Sequence, residues 1–418
     1  MTRSRSLLLA ALLTGAVLAV SVVCAINGAR RVGAPFPGFL LAYNRTVLSV
    51  ARAGWPLEQA SRALFAQVVA VDGHAVDDAQ DVQDAVAAVP AGTTITYRLR
   101  KGAELFTEQV PTMTFSAGDY LAVYGPYVLI GIVFSLTGFA AVRLSRAGPR
   151  EPVLAFFLLC QSVGLTLGTA CDAYGPYWFT FVYLVAQCLA IANLFHLAAS
   201  YPWVIGGGSR GRRGTLAGIY LGALLLALGL AAAGDDVSLF LPLLYAVYLL
   251  LANAIFVYAT GLAIGFFGRA ASPARQGLSW AMAGIVLVFL VPGTIFVIYP
   301  ALDRVIPPGL LVGPLVLFPI LTGAALVRWP VVRSVPVSRS IRLRLSLLFL
   351  AAVETSFLVA VVVFWQSNSW EQLLADLRVA QRQAGAVERA AAASGEERTS
   401  RLREVESRAQ SGVEAGLA

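Results

Sequence analysis

Residues Tyr120 to Val142 read YLAVYGPYVLIGIVFSLTGFAAV, without one charged side chain. A helix needs about 20 apolar residues to cross the hydrocarbon of a bilayer, so this stretch is predicted to span one. Outward from it the pattern recurs, at Leu7 to Ile26, Pro152 to Cys171, Tyr177 to Ser200, Leu216 to Ala233, Leu239 to Phe266, Leu278 to Tyr299, Leu310 to Val327 and Leu345 to Trp365, nine runs in all. Of 418 residues 58% are hydrophobic and only 13% charged, which excludes a soluble chain. The expected fold is an α-helical polytopic membrane protein of about nine spans.

The net charge of +8 comes from 31 basic and 23 acidic residues, Lys101 being the sole lysine. Most of the arginines sit between apolar runs, so the basic balance is a membrane signature and implies no nucleic acid. Arg3 and Arg5, then the loops holding Arg143, Arg146, Arg150, Arg210, Arg212, Arg213, Arg269, Arg275, Arg328, Arg333, Arg339, Arg342 and Arg344, carry fifteen arginines. Alternate short loops carry Asp172, Asp235, Asp236, Asp303 and only Arg304. Cations stay on the cytoplasmic side during insertion, which predicts a cytoplasmic N-terminus. The first run reads as an uncleaved anchor rather than a secretory signal, whose apolar core is about 7 to 15 residues. Val23 before Cys24 speaks against a lipoprotein site.

Residues Gly28 to Ala117 form the one long polar insert, predicted to lie outside the cytoplasm. Gln67 to Val71 (QVVAV) is an apolar β-branched run that ends in Asp72-Gly73, a hairpin turn signal. Val82, Ala85, Val86 and Val89 then recur at helical spacing, closed by Pro90-Ala91-Gly92. Thr93 to Arg100 (TTITYRLR) alternates as a strand, Lys101-Gly102 turns, and Leu105 to Phe115 supplies another strand.

With VVAVDGHAV (68 to 76), a helix, and PAGTTITYRLRKG (90 to 102), this insert resembles the second half of a bacterial PDZ domain over about 80 residues. That resemblance implies an α/β domain in which an extended peptide adds a strand to a sheet edge and a Gly-containing loop holds its terminal carboxylate. Phe36-Pro37-Gly38-Phe39 is similar to that loop, so the resemblance puts Gly38, Phe39 and Leu40 around the carboxylate. Two departures stand out: Phe65-Ala66 replaces the usual Gly-Asp pair, and Val47 to Leu64 matches poorly.

The spans carry LFHLAASYP (194 to 202), ARQGLSWAMAGIVLVFLVPG (274 to 293) and FPILTGAALVR (318 to 328). Together with a PDZ-like insert after one helix, residues 1 to 345 resemble the membrane input region of competence-pheromone-type sensor histidine kinases. The resemblance implies an inner-membrane block that senses a signal. Beyond His196 there is no candidate phosphoacceptor histidine, and beyond Trp365 no Gly-rich nucleotide segment, so the expected output partner is a cytoplasmic kinase or another signalling protein supplied in trans. The domains expected are 1 to 27 anchor, 28 to 117 PDZ-like domain, 118 to 344 a bundle of seven spans, 345 to 365 a last span and 366 to 418 a polar tail. In that tail Trp370, Leu373, Leu374, Leu377, Ala380, Ala384 and Val387 recur as in an amphipathic helix or short coiled coil.

Polar side chains inside apolar runs are costly and mark candidate sites. Glu354 near the middle of run nine reads as a signal-coupled or proton-linked carboxylate, or as a protonated group bonded to a neighbouring helix. Asn193 and His196, three apart and so on one face, read as a ligand or proton site or as packing between helices. Asp172 stands beside Tyr174, Tyr177 and Trp178, an interfacial aromatic belt or a ligand rim. Asn253 and Gln161 read as packing residues.

Neither His74 nor His196 begins an HExxH, so intramembrane metalloprotease chemistry is excluded. No span carries GxSxG, and the four cysteines, Cys24, Cys160, Cys171 and Cys188, form no CxxC. No catalytic residues, metal ligands or cofactors are expected. Two functions remain: a receptor or sensor input module that recognises a peptide, a protein C-terminus or an apolar signal, and a transporter or transporter accessory protein. The absence of an internal repeat favours the first.

Overall fold

The computed structural model describes residues 3–328 apart from 49, 53, 57–62, 103, 146–150, 202–208, 235, 268–274 and 287–306. Among these residues seven helices are long and apolar enough to cross a membrane, and the chain is a membrane protein. They are α1 (Arg3–Ala29), α4 (Gly125–Leu144), α5 (Glu151–Ala173), α6 (Thr180–Ser200), α7 (Ser209–Ala233), α8 (Val237–Phe267) and the stretch Pro308–Arg328. Run seven is helical over 275–286, here α9, and its remainder lies outside the described residues. So do run nine with Glu354, and the tail from Gln366. Two compact units divide the chain, Met1–Lys101 with Leu105–Ala360, and Gly102–Glu104 with Val361–Ala418. Of the second, only Gly102 and Glu104 are described.

Two runs differ from expectation. The stretch from Tyr120 is not one helix: α3 (Ala117–Val123) ends at Tyr124 and α4 starts afresh at Gly125 with Pro126 in its first turn, where a missing N–H costs nothing. Run eight is α10 (Pro308–Val312), a 3-10 turn (Gly313–Val316) and α11 (Leu317–Arg328). Pro314 and Pro319 remove the N–H groups that an uninterrupted α-helix needs there.

On α1 the face that turns inward follows from residue size. On α1 the buried stripe is Ala10, Thr14, Val17, Ser21 and Cys24, spaced 3 or 4 apart, while Leu8, Leu9, Leu12 and Leu13 stay exposed. Helices in lipid gain nothing by hiding leucine from leucine-like tails, so small residues that allow close backbone approach mark the contacts. A Cβ on Gly168 of α5 would fall 1.9 Å from Ser21 Oγ, and one on Gly164 would meet Ser135 Oγ and the Gly131 carbonyl of α4.

Between α1 and α3 the chain builds a small domain. Strands β2 (Gln67–Val71), β3 (His74–Ala75), β4 (Thr94–Lys101) and β5 (Glu104–Pro111) form a sheet of order β3-β2-β4-β5. Asp72 (φ 46°) and Gly73 (φ 84°) make the two-residue β2-β3 turn, since Asp tolerates and Gly readily adopts the positive φ that such a turn needs. Helix α2 (Ala79–Ala87) starts on a reciprocal cap, the Asp81 N–H donating to Asp78 Oδ1 at 2.8 Å and the Asp78 N–H to Asp81 Oδ2 at 3.1 Å. It buries Ala79, Val82 and Val86 against Val68, Ile95, Tyr97 and Leu99. A two-stranded ribbon of β1 (Pro35–Phe36) and β6 (Met113–Thr114) closes the domain where the chain enters and leaves.

The domain core does not stop at the membrane helices. Phe36 packs on Trp55 and Phe115 with ring centroids 4.8 and 5.0 Å apart, Phe115 on Tyr124 at 6.1 Å, and Tyr124 on Tyr174 of the α5–α6 loop at 6.2 Å. Buried Asp119 of α3 accepts from Arg52 Nη1 at 2.9 Å, Trp55 Nε1 at 3.0 Å and the Ser116 N–H at 2.9 Å.

Candidate functional site

The first site lies in the small domain, at an edge of its sheet. Leu41 pairs antiparallel with Val47 and Thr46 with Gln67, which adds the segment 40–48 to the β2 side as a narrow hairpin. Ala42 N–H donates to the Thr46 carbonyl and Leu48 N–H to the Leu40 carbonyl, so the other backbone edge of Leu41 faces away from the sheet. Just before it the chain turns through Gly38 at φ +80°, where a Cβ would also meet the Pro56 ring at 2.8 Å. The side chains of Phe39 and Leu40 are buried, and Phe39 stands edge-on to Tyr97 at 5.1 Å. Among the described residues no acceptor takes the N–H of Gly38, Phe39 or Leu40. Successive N–H groups around a left-handed glycine are the backbone element from which anion-binding nests are built.

The edge beyond this loop is occupied by the protein itself. Tyr177, from the loop between α5 and α6, donates its hydroxyl to the Leu41 carbonyl at 3.3 Å. The Gln83 side chain of α2 hydrogen-bonds the same hydroxyl. Burial pushes the Tyr177 hydroxyl up to about 12, so it remains a neutral donor across the physiological range. Asp172 shapes the loop that carries it: its carbonyl accepts from the N–H of Gly175 at 2.9 Å and of Tyr177 at 3.1 Å, and its carboxylate accepts from the Phe179 N–H. Arg31 Nη1 donates to the Tyr174 carbonyl at 2.8 Å and lies where a Cβ on Gly175 (φ +113°) would be. Asp172 has no exposed surface. It holds the tyrosine loop and is no open ligand rim.

The second site is at the other end of the α5–α6 pair, remote from the Tyr177 loop. Asn193 and His196 meet as their spacing predicts, through Tyr220 of α7: its hydroxyl donates to Asn193 Oδ1 and lies 2.9 Å from His196 Nδ1. Asn193 Nδ2 donates to Ser162 Oγ of α5 at 2.7 Å, and Ser162 Oγ to the Leu158 carbonyl at 2.8 Å. His196 Nε2 stands 3.4 Å from Glu151 Oε1, at the first residue of α5. Tyr220, Ser162 and Glu151 carry no local sequence signal for this role, since each comes from a helix other than α6. Gln161 Nε2 donates to the Ser135 carbonyl at 3.0 Å and Asn253 Nδ2 to the Leu249 carbonyl at 2.9 Å, both as packing residues.

Among the described residues no group of three or more His, Cys, Asp or Glu side chains is placed to hold a metal ion. All four cysteines are free and buried. Comparisons with protein-family models, curated proteins and solved structures return no match to this chain.

Proposed function

We propose that the chain is a membrane receptor whose small domain captures the end of an extended peptide or protein tail and passes that event to the bundle. The observation that carries the reading is the row of unpaired N–H groups at Gly38, Phe39 and Leu40 beside the outward strand edge of Leu41, which the Tyr177 hydroxyl now holds. A buried N–H without an acceptor is costly, and a terminal carboxylate seated there satisfies three at once. The next residues of such a peptide then pair with the edge at Leu41, the PDZ mode of strand addition.

Tyr177 supplies the coupling. A peptide on that edge competes with the tyrosine hydroxyl for the Leu41 carbonyl, and the tyrosine is fixed to α5 and α6 by Asp172. Ligand binding thereby frees the α5–α6 loop, and the bundle, with its domain on the extracytoplasmic side, relays the change to an output partner such as a kinase in trans. A conformational change driven this way is limited to the ligand's differential affinity for the two states.

The test uses the full chain in lipid nanodiscs and a set of fluorescent decapeptides with apolar last residues, each as free acid and as C-terminal amide. The reading predicts saturable binding of some free acids, loss of at least about tenfold on amidation, and tighter binding to Tyr177→Phe, which lacks the competing hydroxyl. Equal binding of acid and amide, or no binding of any free acid, sinks it.

A further inference from the structure

The Ser162–Asn193–Tyr220–His196 chain fixes where its protons lie. A backbone carbonyl only accepts, so the 2.8 Å contact to Leu158 commits the Ser162 hydroxyl proton. Ser162 Oγ must then accept from Asn193 Nδ2, which turns Asn193 Oδ1 toward Tyr220. The tyrosine gives its one proton to that oxygen, and its own oxygen takes a proton from His196 Nδ1. Imidazole is therefore held with a proton on Nδ1, and any change in its charge happens at Nε2, opposite Glu151. With one proton between them the two groups attract, as imidazolium and carboxylate or as neutral imidazole and carboxylic acid. With none, a nitrogen lone pair faces a carboxylate, and with two, an imidazolium faces an acid proton.

We propose that Glu151 and His196 form a single-proton binding site, which clamps the first turn of α5 to α6 and α7 at the end of the α5–α6 pair remote from Tyr177. Among the described residues, the helices packed on α6 bring the following titratable and charged groups to this end. From α5 comes Glu151, and from α7 come Tyr220 and, about two turns or more before it, Arg210, Arg212 and Arg213. Over Val237–Phe267 α8 has no charged residue, and its Tyr258 turns to Phe318 and Thr322. The pair is half open to solvent on the Glu151 side, with side-chain exposures of 14% for His196 and 44% for Glu151, so protons reach it.

The chain has two histidines, and the other, His74, is exposed on the domain. Selective 15N-histidine labelling of the full chain in nanodiscs therefore gives one test signal and one internal reference. The neutral form of His196 is expected wholly as the Nδ1–H tautomer while His74 shows both. Tyr220→Phe removes the acceptor and with it the tautomer preference, and Glu151→Gln displaces the pH at which the Nε2 proton leaves by about one unit or more without moving His74. An Nε2–H tautomer or a mixture in the wild-type chain overturns the proposal, and so does an unmoved His196 titration in Glu151→Gln. The wild-type spectrum alone decides the first point if either variant misfolds.

Discussion

In the small domain Val68, Val82, Ile95 and Leu99 point inward while Asp78, Gln80 and Asp84 face out; in the bundle Thr14, Ser21, Ser135, Gly164 and Gly168 sit at the contacts while Leu8, Leu12, Leu129 and Leu225 lie on the surface. At the α1–α5 and α4–α5 contacts small residues thus do the packing that large apolar ones do in the domain, although the bundle also buries Phe134, Phe156 and Leu197. The difference identifies the solvent around each part: water rewards the burial of large apolar groups, whereas lipid does not distinguish a buried leucine from an exposed one, so packing and hydrogen bonds decide.

The largest effect should come from cutting the aliphatic core. Leu99→Ala is expected to cost about 2–5 kcal/mol, and Leu12→Ala on α1, 61% exposed, less than about 0.5 kcal/mol, as measured by unfolding in one detergent. Comparable losses at both positions would erase the contrast. Next, Gly168→Val should destabilise by about 1–3 kcal/mol through overpacking, whereas Gly15→Ala, with nothing within 4 Å of the new Cβ, should be neutral or slightly favourable.

Asp119 sits where the two regimes meet. Burial works against its charge, but hydrogen bonds from Ser116, Trp55 and Arg52 outweigh it and hold the carboxyl below the usual carboxylate range. A carboxylate whose folded pKa is depressed adds stability above its unfolded value, 3.8, and loses it as pH falls through the lower folded value. Asp119→Asn should cost roughly 1–3 kcal/mol at neutral pH and flatten the acid limb of a stability profile; an unchanged acid limb would remove Asp119 from the account. Smallest of all, Asp78→Ala should take about 1 kcal/mol from the domain through its α2 cap, seen as faster amide exchange over Ala79–Ala87.

Local signals made much of this legible. Asp72-Gly73 announced its hairpin, Val82, Val86 and the Pro90-Ala91-Gly92 stop announced α2, and run length announced the spans. The break at Tyr124 also had a signal, Pro126 as a helix-start residue, which continuous hydropathy outweighed. Tyr177 was legible only as part of an aromatic belt or rim, and nothing local announced Tyr220. Each works through one hydroxyl whose partner is more than twenty residues away, Leu41 in one case and Asn193 in the other. Spacing on a single helix showed that Asn193 and His196 share a face, but what meets that face is a property of tertiary packing. Asp172 was legible as a boundary residue and not as the anchor of a loop, because its bonds are to backbone N–H groups whose positions depend on the left-handed Gly175 and Tyr177.

Among the described residues, the points at which the domain meets the bundle include Tyr120 of α3 donating to the Ala25 carbonyl of α1 at 2.8 Å, Arg31 at the Tyr174 carbonyl, and Tyr43, whose hydroxyl donates to the Leu230 carbonyl of α7 at 3.1 Å while its ring stacks edge-on to Phe240 of α8. Three supports define a plane, so the domain can neither pivot nor roll without breaking one of them. The strand edge at Leu41 is thereby kept at one height and one compass bearing over the helices. A tail rooted in the same bilayer would search for it in two dimensions, and the spacing between that root and the edge would select partners by length as well as by chemistry.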